Sequence, residues 1–324
     1  MAQEIKAVVL AAGKSKRMKS GITKMAHRIL GKEIINYLLD SLTTAGISEE
    51  NITVVVGDNS DEIKAVVKKK VHYAIQEEQL GTAHALLSAK KEIVDFSGQL
   101  VVTVGDNPYI NATELKKLIR EHTEKSAACS FISAVFPHVP PPYGRVIRDE
   151  KGDVSDVIEE IDATPDQLKI REVNSSIYIF DNNVTFPLLS EIDKNNEKGE
   201  YYLTDIIKIL KKRNRRIHAV KADDYAISIG INNKWELQQA QEKFNRENLK
   251  RLAVEEGVTI FQPESVTVEC DVEIGRDTVI YPSTFLASGT RIGENCRIGP
   301  FVYLENATVA DNEEISFKKI TPPQ

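Results

Sequence analysis

The segment Leu10-Ala-Ala-Gly13 closes an apolar run that begins at Ile5 and opens a loop carrying Lys14, Lys16, Arg17, Lys19 and Lys24. Small residues and one glycine let backbone N–H groups come close to a bound group, and clustered cations suit a polyanion. Phosphate binding is therefore the chemistry to expect at the end of this first strand. Two glycine-loop readings fail on spacing. A Walker A loop needs a glycine five positions before Gly13-Lys14-Ser15, and Val8 stands there. A dinucleotide-type Gly-x-Gly-x-x-Gly is absent, because only Gly13 is available.

A second chemistry-bearing residue is Asp106, which with Gly105 follows the apolar run Leu100 to Val104. It could cap the helix expected over 111–124, or present a hard oxygen to Mg2+, an ion that keeps several waters and takes one or two protein ligands. Unbroken apolar runs such as 52–56 and 100–104 belong in a sheet covered on both faces. Their alternation with helical patterns implies an α/β, Rossmann-like doubly wound sheet, whose ligands bind at the carboxyl ends of the strands. The loop after Leu10 and Asp106 thus fall on one edge. Hydrophobic periodicity predicts helices over 33–45, 58–70 and 82–94 and a short strand over 71–75. Beyond residue 127 it predicts strands over 128–136, 144–148, 154–159 and 175–180 and helices over 203–212 and 235–254. Pro137 to Pro142 forms a stiff connection that no helix could cross.

The tail carries a repeat. Val268, Ile274, Ile280, Leu286, Ile292, Ile298 and Leu304 recur every six residues, and one aliphatic per hexad marks a parallel β-helix. The pattern resembles the left-handed β-helix of bacterial acyltransferases, where three repeats make one triangular coil, so two to three coils are expected. By the same resemblance a homotrimer through the β-helix is a candidate assembly. The expected organisation is a catalytic domain over 1–233, a linker helix over 234–256 and a short left-handed β-helix over 257–324.

The first loop resembles the sugar-nucleotidyltransferase pattern Leu-x-x-Gly-x-Gly-Thr-Arg-Met followed by Pro-Lys, through Leu10, Gly13, Arg17, Met18 and Lys24. Gln76-Glu-Glu-Gln79-Leu-Gly81-Thr82-Ala-His-Ala85, Gly105-Asp106-x-Pro108, Tyr143-Gly144-Arg145, Glu172-Val-Asn174, Gly199-Glu-Tyr-Tyr-Leu-Thr-Asp-Ile-Ile207 and Gly230-Ile-Asn232-Asn233 follow in that family's order. Together they resemble the uridyltransferase half of bacterial N-acetylglucosamine-1-phosphate uridyltransferases, and the hexapeptide tail stands where that family places its second domain.

The resemblance implies a Mg2+-dependent enzyme that forms UDP-N-acetylglucosamine and pyrophosphate from UTP and the amino-sugar 1-phosphate. It implies that Leu10, Ala11, Ala12 and Gly13 lie along the nucleotide and that Arg17 and Lys24 are the catalytic cations facing the triphosphate. Gln76, Gly81 and Thr82 would read the uracil, while Gly144, Glu159 and Asn174 would hold the sugar. Gly105 would line the same edge, and Asp106 with Asn232 would hold Mg2+. Taken alone, Asn232 reads as a helix cap before Trp235, Lys24 as a solvated lysine and Glu159 as an exposed charge on a strand edge. The histidines, His27 and His84 among them, are expected to pack or to face solvent, since this reaction needs no imidazole.

Four departures from the family pattern stand out: Ser15-Lys16 for Gly-Thr, Thr23 for the proline before Lys24, Val104 for a tyrosine before Gly-Asp, and Ile161 for a lysine after Glu159. They leave open a nucleotidyltransferase for a different sugar 1-phosphate, or a non-catalytic UDP-sugar-binding subunit. The family's acetyl transfer is not expected, because no histidine follows His218 to act as a base.

A net charge of −6 argues against nucleic acid or an anionic membrane as the partner. No apolar run nears the roughly 18 residues that span a bilayer. The start of the chain lacks a signal-peptide layout, so a cytoplasmic protein is expected. Cys129, Cys270 and Cys296 lack metal-ligand spacing and read as buried, reduced thiols.

Overall fold

The computed structural model describes residues 4–58 and 60–322. The chain divides into two compact units, one of residues 1–26 and 34–231, the other of residues 27–33 and 232–324.

The first unit is built on a mixed sheet. Its strands run in the order Ile217–Lys221, Cys129–Val135, Glu172–Asp181, Gln99–Val104, Ile5–Leu10, Ile52–Val56 and His72–Ile75, with Arg145–Arg148 and Val154–Ile158 added beside Glu172–Asp181. The four strands from Gln99–Val104 to His72–Ile75 are parallel, whereas Glu172–Asp181 runs antiparallel to both its neighbours in that order. Strand alternation explains why these segments read as continuous apolar runs. Val8 and Leu10 point into one core with Leu86 and Ile206, while Ala7 and Val9 point into another with Leu38 and Leu118. Helices therefore cover both faces, and only the strand ends remain for ligands.

Several expected elements differ in extent. The helix expected over 58–70 is Ser60–Val66, because Asn36 takes its end: Nδ2 donates to the Val66 carbonyl and Oδ1 accepts from Lys68 N–H. The helix expected over 82–94 splits into Thr82–Ser88 and Lys90–Ile93 at Ala89, whose N–H closes on Leu86 in a tighter turn. The cap of Ala112–Lys125 is Asn111, accepting from Glu114 N–H, so Asp106 is not spent on capping. The strand expected over 175–180 extends to Glu172–Asp181 across a bulge at which Ser176 takes φ 56°. Of the thiols, Cys129 and Cys296 are buried but Cys270 is exposed.

The second unit contains the long helix Lys234–Glu255 and the β-helix. Asn233, not Asn232, caps the helix by accepting from Glu236 N–H, while Glu236 accepts from Asn232 N–H in return. The β-helix is of the left-handed hexapeptide class and has three parallel faces, represented by Val279–Ile280, Thr284–Leu286 and Arg291–Ile292 with their stacked neighbours. All seven periodic aliphatics are buried, from Val268 to Leu304. Among the described residues three full coils are present, and Glu314–Ile315 and Lys318–Ile320 begin a fourth. The stack is thus longer than the strict hexads suggest, because Ile260, Ile315 and Ile320 join it off the six-residue period.

Candidate active site

The first loop leaves the sheet where three strand ends are held in register. Leu10 pairs with Val55 and with Val104, Ala11 N–H donates to the Val55 carbonyl, and Gly105 N–H donates to the Leu10 carbonyl at 2.9 Å. A Cβ on Gly105 would lie 3.2 Å from the Ala11 methyl, so the 10–13 and 105–106 segments touch through small residues. Gly13 has open space where its Cβ would be. The glycine is therefore not required by protein packing there, and its bareness leaves room for a ligand backbone to approach.

The loop walls a cleft of about 360 Å³, lined among others by Gly13, Lys14, Lys16, Thr23 and Glu62. Ser15 takes a left-handed φ of 50°, the conformation a glycine adopts most easily, and Met18 anchors the loop as a fully buried side chain. Lys24 is not a solvated lysine. It is 9 % exposed, and its ammonium forms an ion pair with Asp106 Oδ2. Arg17 is exposed on the same loop.

Asp106 is held by its own backbone and by its neighbour. Its carbonyl accepts from Ile231 N–H at 3.0 Å, and the buried Asn107 donates to the Ile227 carbonyl at 2.5 Å while accepting from Tyr109 N–H. Gly230 faces the carboxylate, and a Cβ there would lie 3.2 Å from Oδ1. Asn107 was invisible in the Gly-Asp-x-Pro pattern, where it is the variable position. Asn232 belongs to the second unit and donates its N–H to Glu236 Oε2 at 2.6 Å.

A second cluster forms at the end of His72–Ile75. Gln76 is 3 % exposed, and its Nε2 donates to the Gly81 carbonyl at 3.3 Å and to His84 Nδ1 at 3.1 Å. Gly81 has φ 118°, and a Cβ on it would lie within 3 Å of the Tyr201 backbone, so only glycine fits. The next turn is stitched to the same strand of chain: Ala83 N–H donates to the Tyr201 carbonyl and Leu203 N–H to Thr82 Oγ1. His84, expected to pack or to face solvent, stacks on the Tyr201 ring and also holds the Gln76 amide, and its position two residues after Thr82 was the available signal.

Gly144, Glu159 and Asn174 also converge. Asn174 N–H donates to the Gly144 carbonyl at 2.9 Å, and a Cβ on Gly144 would lie 3.6 Å from Glu159 Oε1. Asn174 Nδ2 donates to Tyr178 Oη. Glu159 is not an exposed edge charge. It accepts from Thr204 Oγ1 at 3.1 Å, and burial pushes its carboxyl above the usual range, an effect the Thr204 bond and Lys198 partly oppose. Thr204 lies inside the Gly199-to-Ile207 motif but was not singled out there. Of the departing positions, Ile161 is 51 % exposed and Val104 is half-buried.

Among the described residues no group of three or more His, Cys, Asp or Glu side chains could hold a metal, and no helix is long and apolar enough to cross a membrane. A single carboxylate at a phosphate edge suits a hard, largely hydrated cation rather than zinc.

Comparison with known proteins agrees with this geometry. Residues 6–236 match the nucleotidyl transferase family, and residues 271–306 match the bacterial transferase hexapeptide repeat. The bifunctional protein GlmU of Brevibacillus brevis is 38 % identical over 314 residues, covering 97 % of this chain and 67 % of that protein. GlmU of Acetivibrio thermocellus is 41 % identical over 309 residues, covering 95 % and 66 % respectively. GlmU of an Exiguobacterium species is 38 % identical, covering 97 % and 69 %. The chain spans about two thirds of the length of these relatives.

Proposed function

This chain belongs to the nucleotidyl transferase family as a relative of GlmU, and from that membership we propose that it joins UTP and N-acetylglucosamine 1-phosphate into UDP-N-acetylglucosamine, releasing pyrophosphate. The observation that carries this reading is the ion pair of Lys24 with Asp106 at the carboxyl edge of the sheet, beside a loop of small residues and cations.

The reaction forms a bond from the sugar-phosphate oxygen to the α-phosphorus and breaks the bridge to the β-phosphate, whose electron pair leaves with pyrophosphate. A phosphate nucleophile is already ionised, so no side chain need remove a proton; positioning and charge stabilisation supply the catalysis. Lys24 keeps a cation beside the reacting phosphates and fixes the Asp106 carboxylate. Arg17 lies on the exposed loop, where it would meet the leaving pyrophosphate. Gln76, Gly81 and Thr82 are assigned to the uracil, and Gly144, Glu159 and Asn174 to the amino sugar. Asp106 fits Mg2+, being a hard carboxylate whose Oδ1 side faces a bare glycine. Asp106 and Asn232 are the residues assigned to hold it, and the ion neutralises triphosphate charge when bound.

The hexapeptide repeats support a homotrimer, and use of UTP would suit a cytoplasmic reaction. The test is pyrophosphate release from a panel of nucleoside triphosphates and sugar 1-phosphates with and without Mg2+. UTP with N-acetylglucosamine 1-phosphate is expected to be the best pair. A better pair elsewhere in the panel would reassign the substrate, and UDP-sugar binding with no turnover at any Mg2+ concentration would make the chain a binding subunit.

A further inference from the structure

Two of the departures in the first loop acquire partners in the fold. Thr23 N–H donates to Glu62 Oε2 at 2.6 Å, and the next amide, Lys24 N–H, donates to Ser15 Oγ at 3.0 Å. Thr23 is 6 % exposed, so its N–H is out of water and needs an acceptor. A proline at this position would set φ through its ring and bring no donor. A threonine leaves φ soft and adds a buried N–H, and here both consequences meet one carboxylate. Glu62 projects from the helix Ser60–Val66 into the wall of the cleft that Lys14 and Lys16 also line. The bond to Thr23 leaves the Glu62 charge in place but fixes where the carboxylate sits in that wall.

We propose that Glu62 is a positioning residue for the phosphate site: with Ser15 Oγ it clamps the 23–24 backbone and so fixes where the Lys24 side chain starts out toward Asp106. Ser15 and Thr23 then act as a matched pair, a hydroxyl and an N–H that replace the stiffness of proline by two hydrogen bonds. This inference rests on the reading that Lys24 serves a nucleotide.

The test compares the full chain with Glu62→Ala, Glu62→Gln, Thr23→Pro and the double variant Glu62→Ala/Thr23→Pro. Three quantities are read: amide hydrogen exchange over residues 22–25, steady-state kinetics with each substrate varied, and thermal melting. Glu62→Ala is expected to speed exchange at Thr23 and to lower kcat/KM for UTP by roughly tenfold to a hundredfold. KM for the sugar 1-phosphate should stay near that of the parent, while melting falls because a buried donor loses its Glu62 acceptor. Glu62→Gln, whose amide oxygen still accepts, should retain most of the activity. Adding Thr23→Pro to Glu62→Ala should recover it, because proline no longer presents the N–H that Glu62 accepted from. Parent-like kcat/KM for UTP in a folded Glu62→Ala protein overturns the proposal. So does a double variant as impaired as Glu62→Ala when Thr23→Pro alone turns over. If Thr23→Pro fails to fold, equal losses in Glu62→Ala and Glu62→Gln overturn it instead. A parent inert with every nucleotide removes the transferase reading, and exchange then decides: Thr23 protection unchanged in Glu62→Ala overturns the clamp.

Discussion

The Gln76 side-chain amide donates to His84 Nδ1 at 3.1 Å. An amide NH2 can only donate, so His84 must present a bare Nδ1 and carry its ring proton on Nε2. With the Gly81 carbonyl as the second acceptor, the amide is held in one of its two orientations. His84→Ala should therefore raise KM for UTP by roughly fivefold, about 1 kcal/mol for one hydrogen bond, and narrow the preference for UTP over CTP. Kinetics with both nucleotides check this; an unchanged preference would remove His84 from base selection.

Asp106 and Lys24 neutralise each other at side-chain exposures of 19 % and 11 %. Asp106→Ala should lower kcat by roughly a hundredfold or more and also destabilise the fold by about 1–3 kcal/mol, because a largely buried ammonium loses its carboxylate partner. Adding Lys24→Met should restore the melting temperature but not turnover. Calorimetric melts beside pyrophosphate assays separate the two effects.

Burial raises the Glu159 carboxyl pKa, so the folded chain holds that proton more tightly than the unfolded one. Between the ordinary and the raised value, unfolding releases a proton and stability falls as pH rises. Glu159→Gln should thus melt higher than the parent at neutral pH, with the gain vanishing in acid, while KM for the sugar 1-phosphate rises. Melting curves across pH decide; a gain that persists in acid would assign the effect to packing.

His122 presents the opposite sign. Burial lowers its pKa from 6.5 to about 4, and its Nδ1 is 2.9 Å from Ser130 Oγ. Between those values only the unfolded chain takes up the proton, so stability is lost as pH falls, by at most about 1.4 kcal/mol per pH unit. Replacing His122 by Gln should flatten that part of the stability profile, as urea titrations from neutral to acid pH would register.

Much of the active edge was legible in the sequence because it depends on local rules. Leu10 and Val104 end apolar runs, and a parallel sheet puts such ends together, so the meeting of the 10–13 loop with Asp106 follows from pattern alone. The inward aliphatics of the β-helix were legible for the same reason, from Val268 to Leu304. Its outermost strands were not, because Ile315 and Ile320 stack on the coil below while breaking the six-residue period. The early end of the helix at Val66 was hidden as well, since the competing groups belong to Asn36, thirty residues away.

By itself the sequence determined the class of chemistry: small residues and cations after a buried strand, a carboxylate after another, and a tail whose hexads stack. These are statements about residue types along one stretch of chain, where backbone sterics and hydrophobic period decide. Only the tertiary structure decided which polar groups meet. That His84 orients Gln76, that Lys24 pairs with Asp106 and that Glu62 receives the N–H at Thr23 are long-range or side-chain choices. They follow from the need of each buried donor and acceptor to find a partner, and only the fold supplies the candidates.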